Sequence, residues 1–308
     1  MSILFFEPIP RAAIWGKTVV KEYFGYEQYP YGIGQSWSFS AQNNASNICL
    51  SEPFKGATLA YLWHNHPELF NSDYQDFPVI ISLVGPEDDL SIQVHPDDLI
   101  AKKHGYLSGK NEAWYFIEAE DNYNIVYSHN AKNEKELREY IEAEKWDDLI
   151  NHLDVSPKDF VYLPAGLLHA LRKGSIVYEI QQAVDVTYRF YDYHRKDDKG
   201  QERELHLEKA IECLSYGDFT NENYIEPIII DKGEYKETTF INNNFFTVKK
   251  LEINGVCDFK SDKYQLATVI KGTGFADDIG IKIGDSFLIP VQEKVKLVGT
   301  FEVMLTTK

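Results

Sequence analysis

The stretch "LSIQVHPDD", residues 90 to 98, decides how this chain is interpreted. Successive side chains of a β-strand point to opposite faces, so Ile92 and Val94 would share one face. The other face would carry a polar trio, Ser91, Gln93 and His95. The apolar pair can enter a core. The polar trio therefore faces something else, and a proline and two aspartates end the strand directly after it.

The composition limits the classes of partner. A chain of 308 residues with 44% hydrophobic residues predicts an ordered globule, with room for about two domains or one large all-β unit. Thirty-one Lys and Arg stand against 48 Asp and Glu, which gives a formal net charge of −17. This charge argues against nucleic acid and anionic membranes as partners. An anionic substrate would have to be bound by a few local cations.

Cysteine usage and the first residues indicate a cytoplasmic protein. Cys49, Cys213 and Cys257 are far apart and odd in number, so we expect reduced core residues and no disulfide framework. The start "MSILFFEPIPR" lacks the basic segment and long apolar run of a signal peptide, and no run elsewhere reaches the length of a membrane span.

Most of the chain has the pattern of short strands. β-Branched and aromatic runs such as "DFVYLPAG", "SIVYEIQQ", "QLATVIKG" and "DSFLIP" are separated by turn residues, which favours a sandwich or barrel. Two stretches have helical periodicity instead, residues 133–153 and 204–214. In the first, Leu137, Ile141, Leu149 and Leu153 would lie near one helical face. In the second, that face would carry Leu207, Ala210, Ile211 and Leu214.

Residues 215–238 have a loop-like composition, and we place a domain boundary there. The prediction is a larger domain over residues 1–236, with a helical insertion at about 131–153, and a smaller β domain over 237–308. Nothing in the sequence indicates an oligomer interface.

Several polar side chains have the spacing of metal ligands. A strand that supplies two ligands at alternate positions gives half a coordination shell from one rigid element, as Gln93 and His95 could. Glu112 follows in a strand-like setting, and His169 comes just after a Pro-Ala-Gly turn. However, His64 and His66 in "WHNHPE" have the same alternate spacing. Spacing alone therefore does not choose the ligands.

The motifs together resemble a known family. The segments "LSIQVHPDD", "GKNEAWY", "PAGLLHAL" and "EIQQAVDVTYRFYDYHR" occur in the order and spacing of the type I mannose-6-phosphate isomerases, whose fold is a cupin jelly roll. The similarity is dense from about residue 77 to 195. It implies a mainly β cupin jelly roll with a small helical insertion and a second, smaller C-terminal β domain. It also implies a metal-dependent aldose–ketose isomerase that interconverts mannose 6-phosphate and fructose 6-phosphate.

The resemblance assigns the metal ligands. It implies that one Zn²⁺ ion per chain is held by four side chains: Gln93, His95, Glu112 and His169. It leaves His64 and His66 as surface or structural residues. Two oxygens and two imidazoles also suit other divalent metals, so zinc follows from the family and not from the ligand chemistry.

The resemblance also implies catalytic and substrate-binding roles. Catalysis is assigned to Arg189, Glu179 and Asp185, with Arg189 as the favoured cation and Glu179 as first candidate for the base. Substrate binding, including the phosphate, is assigned to Ser91, Lys110 and Arg195. A simpler interpretation of Asp185 and Arg189 is an ordinary ion pair beside the sheet, since they are four residues apart.

One departure from the family bears on the substrate. Ser82 stands where the family commonly has an active-site lysine. Either another cation compensates, with Lys17 or Arg195 as candidates, or the substrate preference has changed. Three hypotheses follow: the phosphosugar isomerase, a same-fold isomerase or epimerase that acts on a different sugar, and a non-catalytic sugar-binding regulator.

Overall fold

The computed structural model describes residues 3–197, 199–217 and 226–308. In chain order its strands are β1 Leu4–Phe5, β2 Ile9–Lys17, β3 Ile33–Phe39, β4 Ala41–Gln42, β5 Ala45–Ser46, β6 Val79–Val84, β7 Ile92–Val94, β8 Glu112–Ala119, β9 Asn124–His129, β10 Ile150–Asp154, β11 Phe160–Leu163, β12 His169–Ala170, β13 Ser175–Gln182, β14 Tyr188–Tyr191, β15 Ile228–Asp231, β16 Tyr235–Asn242, β17 Thr247–Lys260, β18 Gln265–Ala276, β19 Ile279–Lys282, β20 Ser286–Ile289 and β21 Lys294–Thr307. Its α-helices are α1 Val19–Phe24, α2 Leu59–Asn65, α3 Asp98–Lys103, α4 Glu134–Glu142, α5 Trp146–Leu149 and α6 Leu207–Cys213.

Three antiparallel sheets contain all of these strands except β4 and β5, which form a separate two-stranded sheet. A six-stranded sheet has the order β11-β8-β13-β6-β3-β2, and a five-stranded sheet has the order β10-β9-β12-β7-β14. The C-terminal sheet runs β1-β20-β18-β21-β17-β16-β15, with β19 paired to β18. The prediction of a mainly β chain is confirmed, although β17, β18 and β21 of the C-terminal sheet are long strands of 14, 12 and 14 residues.

The five- and six-stranded sheets face each other across an apolar layer. Trp114 and Phe116 from β8 pack there with Ile125 and Tyr127 from β9. On the outer face of the five-stranded sheet, Ile92 and Val94 join a second cluster with residues of α4, α5 and α6. The alternation predicted for "LSIQVHPDD" is therefore observed, and the polar face of β7 is turned toward the six-stranded sheet.

The six-stranded sheet packs its other face against the C-terminal sheet. Tyr115 and Tyr178 are fully buried in this layer. Lys250 of β17 donates a hydrogen bond to the Tyr115 hydroxyl (3.1 Å), and the Tyr178 hydroxyl lies 2.8 Å from Thr306 Oγ1 of β21. β8 and β13 thus carry polar side chains toward one sheet and tyrosines toward the other.

The C-terminal sheet also takes in the first strand of the chain, because Leu4 pairs with Leu288 and Phe5 with Phe287. The division of the chain at residues 236 and 237 remains a prediction. Residues 218–225, within the stretch predicted to be loop-like, lie outside the described residues. The loop prediction is wrong for Ile228–Asp231, which forms β15, and for residues 235–238, which belong to its partner strand β16.

The two helical predictions have different outcomes. The second is confirmed as α6, with Ala210 and Ile211 buried. The first is right for α4 and α5, but its end is wrong because Ile150–Asp154 forms β10, where Leu153 pairs with Ile125. A separation of four residues, as between Leu149 and Leu153, fits the same face of a helix or of a strand.

The aspartates that follow β7 begin a helix. The Asp97 side chain accepts a hydrogen bond from the Ile100 N–H (2.8 Å) and caps α3. The three cysteines are free and buried, as predicted. Among the described residues, no helix combines the length and the apolar character that a membrane crossing requires.

Candidate metal centre and adjoining cavity

Three predicted ligands converge between the two facing sheets. His95 directly follows β7 and His169 begins β12 in the five-stranded sheet, while Glu112 begins β8 in the six-stranded sheet. Their ligand atoms all lie within 4.8 Å of one another, and all three residues are buried. Within the described residues, this is the single group of His, Cys, Asp and Glu side chains arranged in this way.

The donor atoms fit a cation. Both oxygens of Glu112 and Nε2 of His169 are buried without a hydrogen-bond partner, which is costly unless another group satisfies them. The Leu167 carbonyl lies 2.9 Å from His169 Nδ1. If Nδ1 carries the proton and donates it there, the lone pair of Nε2 faces Glu112 Oε1, 3.1 Å away. Two imidazoles and a carboxylate are ligands that zinc and several other divalent ions accept.

The electrostatics keep His95 and Glu112 in the forms that bind metal. Burial, followed by the charge of Lys110, lowers the pKa of His95 to about 3, so its imidazole is neutral. Burial opposes ionisation of Glu112, but Lys110 and the two histidines outweigh it and hold the pKa of Glu112 well below its usual range. The Lys110 Nζ lies 3.0 Å from Glu112 Oε2 and 3.2 Å from His95 Nε2.

Gln93 stands beside this group. It pairs directly with His169 across β7 and β12, and residues opposite each other in an antiparallel pair extend from the same face. It is two residues before His95, and it also lines the adjoining cavity. Its assignment as the fourth ligand remains a prediction.

A cavity of about 200 Å³ lies next to the three ligands, because its lining includes Gln93 and also Lys110, which contacts Glu112 and His95. Its polar and charged lining consists of Arg11, Gln35, Ser91, Gln93, Lys110, Glu179, Gln181, Asp185, Thr187, Arg189 and Arg203. Four basic side chains thus stand against two carboxylates, in a chain of net charge −17. The volume is below the roughly 300–1,000 Å³ of sites for drug-sized ligands. The cavity therefore suits a small anionic molecule.

Glu179 is held at the wall of this cavity by two hydrogen bonds. Ser82 Oγ donates to its Oε2 (2.7 Å), and Trp114 Nε1 donates to its Oε1 (3.0 Å). Both donors come from neighbouring strands, since Glu179 pairs with Ser82 on β6 and with Trp114 on β8. Burial, followed by the charge of Glu112, raises the pKa of Glu179. A fixed carboxylate with a raised pKa is a stronger base than an exposed one.

Asp185 and Arg189 line the cavity separately. Asp185 pairs with Arg11 at 3.9 Å, so the simpler interpretation of an Asp185–Arg189 ion pair is not what the structure shows. Arg189 pairs with Gln93 across β14 and β7, and its Nη1 donates to the Glu204 carbonyl (2.6 Å). Burial, followed by the charge of Arg203, lowers the pKa of Arg189. The catalytic assignment of both residues remains a prediction.

The structure places some of the predicted substrate-binding residues in the cavity lining and others outside it. Ser91 and Lys110 line the cavity, whereas Arg195 bonds to Asp192 (2.5 Å) and to the Asp89 carbonyl (2.6 Å) and is not part of the lining. Lys17 pairs with Asp88 at 3.8 Å and lines other surface pockets. Neither proposed replacement for the missing lysine therefore reaches the cavity wall.

Arg11 and Arg203 occupy the cavity wall instead, and the sequence analysis missed both. Arg11 lies over the Trp37 ring, with 4.1 Å from its guanidinium carbon to the ring centroid. Arg203 bonds to Asp192. Neither belongs to a motif with ligand-like spacing. The signal in the sequence was the presence of basic residues in an acidic chain, but this does not predict which of them line the same cavity.

Two family profiles and several curated proteins match this chain. The profile for "Phosphomannose isomerase type I, catalytic domain" matches residues 4–150, and that for "Mannose-6-phosphate isomerase, cupin domain" matches residues 236–307. The chain is 38% identical to mannose-6-phosphate isomerase ManA of Bacillus subtilis, over 93% of this chain and 92% of that protein. It is 36% identical to the mannose-6-phosphate isomerase of Streptococcus mutans, with 93% and 92% covered.

Solved structures give the same result. The crystal structure of a mannose 6-phosphate isomerase from Bacillus subtilis superposes with a TM-score of 0.94 and 34% identity, and the match covers 100% of both chains.

Proposed function

The chain belongs to the type I phosphomannose isomerase family, and from that premise we propose that it interconverts mannose 6-phosphate and fructose 6-phosphate through an enediol-type proton transfer. The observation that carries the proposal is the His95–Glu112–His169 group beside a small cavity with a basic lining. A sugar phosphate is a ligand of matching size and charge.

The metal would be held by His95, Glu112 and His169, with Gln93 as the proposed fourth ligand and zinc as the ion that the family implies. A bound divalent ion supplies Lewis-acid polarisation of sugar oxygens. Lys110 belongs to this group as well, because its ammonium lies against both Glu112 and His95.

The reaction requires one proton to move between C2 and C1 and another between the two oxygens. Glu179 is the proposed carrier of the carbon-bound proton, because its carboxylate is fixed at the cavity wall and its pKa is raised. Arg189 would stabilise the negative charge that develops on the enediolate oxygen. Its backbone is fixed by pairing with Gln93, and Nη1 is fixed by the Glu204 carbonyl. Asp185, paired with Arg11, would orient the sugar.

A second candidate function is a same-fold isomerase or epimerase that acts on another sugar. The observation in its favour is Ser82, which is fully buried and hydrogen-bonded to Glu179 in place of the lysine common in the family.

The test is turnover of mannose 6-phosphate to fructose 6-phosphate by purified, zinc-loaded protein, beside a chelated sample and a His95→Ala variant. Turnover that is lost in both controls would support the proposal. Absence of turnover in protein that binds one metal per chain would refute it and favour another sugar or the non-catalytic sugar-binding regulator. Arg189→Ala should keep the metal and lose turnover, and surviving turnover would refute the role of Arg189.

A further inference from the structure

Arg203 is held rigidly at one end of the cavity. Its Nε and Nη2 donate to the two carboxylate oxygens of Asp192, each at 2.7 Å. This is the two-point geometry in which an arginine and a carboxylate fix each other's orientation. The Asp192 side chain is only 5% exposed, so the pair is anchored in the protein and not on its surface. The third guanidinium nitrogen, Nη1, takes no part in the bonds to Asp192.

The strand register places Ser91 at the same end. Tyr191 pairs with Ile92, so Asp192 and Ser91, the next residue in each direction, lie across from each other. Ser91 is buried and lines the cavity, as Arg203 does. Gln93, beside the metal ligands, is two residues further along β7, a distance of about 7 Å. Ser91 and the Asp192-bound Arg203 therefore line the cavity from neighbouring positions, apart from the metal ligands.

This end carries surplus positive charge. One carboxylate, Asp192, serves both Arg195 and Arg203, and Arg189 lies close to Arg203 with one further carboxylate, Glu204, near it, so three arginines face two carboxylates. Elsewhere in the lining the charge of Arg11 is matched by Asp185, 3.9 Å away. A phosphate would thus be bound more strongly beside Arg203 than beside Arg11. The buried Ser82 contributes no cation to either end.

We infer that Arg203 is the residue that selects a phosphorylated sugar in this protein, with the substrate phosphate bound between its guanidinium and the Ser91 hydroxyl. This inference rests on the proposed isomerase function. In this arrangement Arg203 supplies the positive charge that the serine at position 82 lacks, from a different element of the fold. The sugar carbons would extend from the phosphate along β7 toward the metal ligands.

The experiment compares wild type, Arg203→Ala and Arg138→Ala in zinc-loaded form. Arg138 is the matched control because it makes the same two-point contact with a carboxylate, Glu208, on an exposed helix. Arg203→Ala should raise the KM for mannose 6-phosphate about 10- to 100-fold and weaken competitive inhibition by inorganic phosphate by a similar factor. The kcat should change less than the KM, and Arg138→Ala should match wild type in all three quantities.

Two further results distinguish failure of the proposed isomerase function from failure of the role inferred for Arg203. If wild type does not turn over mannose 6-phosphate, the proposed function fails, and phosphate binding by calorimetry then tests Arg203 alone. If wild type is active but Arg203→Ala keeps its KM and its phosphate inhibition within about twofold, the inference is overturned. Should Arg203→Ala not fold, Arg203→Lys decides, because lysine cannot bind Asp192 at two points and the phosphate together. An unchanged KM in that variant would also overturn the inference.

Discussion

Replacement of Glu179 by glutamine tests the proposed base with little change of shape. The amide oxygen can still accept the Trp114 N–H, and the amide nitrogen can donate to Ser82 after its hydroxyl rotates. Folding should therefore be nearly unaffected, and the loss should appear in catalysis. Removal of a positioned general base costs about 10²- to 10⁴-fold in kcat, or about 3–5 kcal/mol of barrier. Metal content and the KM should remain close to wild type.

The pH dependence gives the same residue an independent signature. Burial and the charge of Glu112 raise the pKa of Glu179, and the base acts only when ionised. In wild type kcat/KM should therefore fall as the pH drops through a value above the ordinary glutamate pKa, and Glu179→Gln should lack this limb. Ser82→Ala is the matched control, because it removes a hydrogen bond that lowers the pKa of Glu179 and should move the limb to higher pH.

Initial rates of fructose 6-phosphate formation across the pH range, with metal content measured in each sample, are sufficient for this test. The reasoning is refuted if Glu179→Gln retains more than about a tenth of wild-type kcat, or if its acid limb is unchanged.

Three other predictions concern stability. Lys250→Met should lower the free energy of unfolding by about 2–4 kcal/mol in urea titrations. The Lys250 side chain is only 4% exposed and contacts Tyr115, Glu302 and Glu252. The control Lys249→Met, at a more exposed position, should cost under about 1 kcal/mol. Asp97→Ala should cost about 1 kcal/mol by calorimetry through loss of the α3 cap, and an unchanged unfolding temperature would contradict the capping role. Zinc at 100 times its dissociation constant should stabilise wild type by about 2.7 kcal/mol, and equal stabilisation of Glu112→Gln would show that the metal binds elsewhere.

Local sequence patterns predicted the structure correctly where a single strand determines which side chains share a face. The alternation around Gln93 predicted the two faces of β7. The grouping of His95, Glu112 and His169 followed from the family resemblance, because spacing alone did not choose among the histidines. Periodicity failed at Leu153, because an interval of four residues has the same meaning for a helix and a strand.

The basic lining of the cavity depends on how distant segments pack, and for that reason it was not visible in the sequence. Arg203 lines the cavity because its bonds to Asp192 fix the segment after β14. Arg11 comes from β2, which belongs to the six-stranded sheet. Arg195, closer in sequence to the catalytic motif, turns to Asp192 and Asp89 instead. Which arginines bond to Asp192, and which of them also line the cavity, depends on tertiary packing and is not predicted by residue spacing.

The pairing of Leu4 and Phe5 with Leu288 and Phe287 bears on how the protein is made. A growing chain cannot complete its C-terminal sheet until synthesis reaches β21, so β1 lacks its partner β20 while nearly all other strands are produced. Such a contact has the greatest loop-closure cost in the fold and should form late. A chain halted before residue 286 would leave β1 without β20, and β18 without both β20 and β21, which exposes backbone groups to pairing with other chains. These strands are thus protected from such pairing only after β20 and β21 have been made.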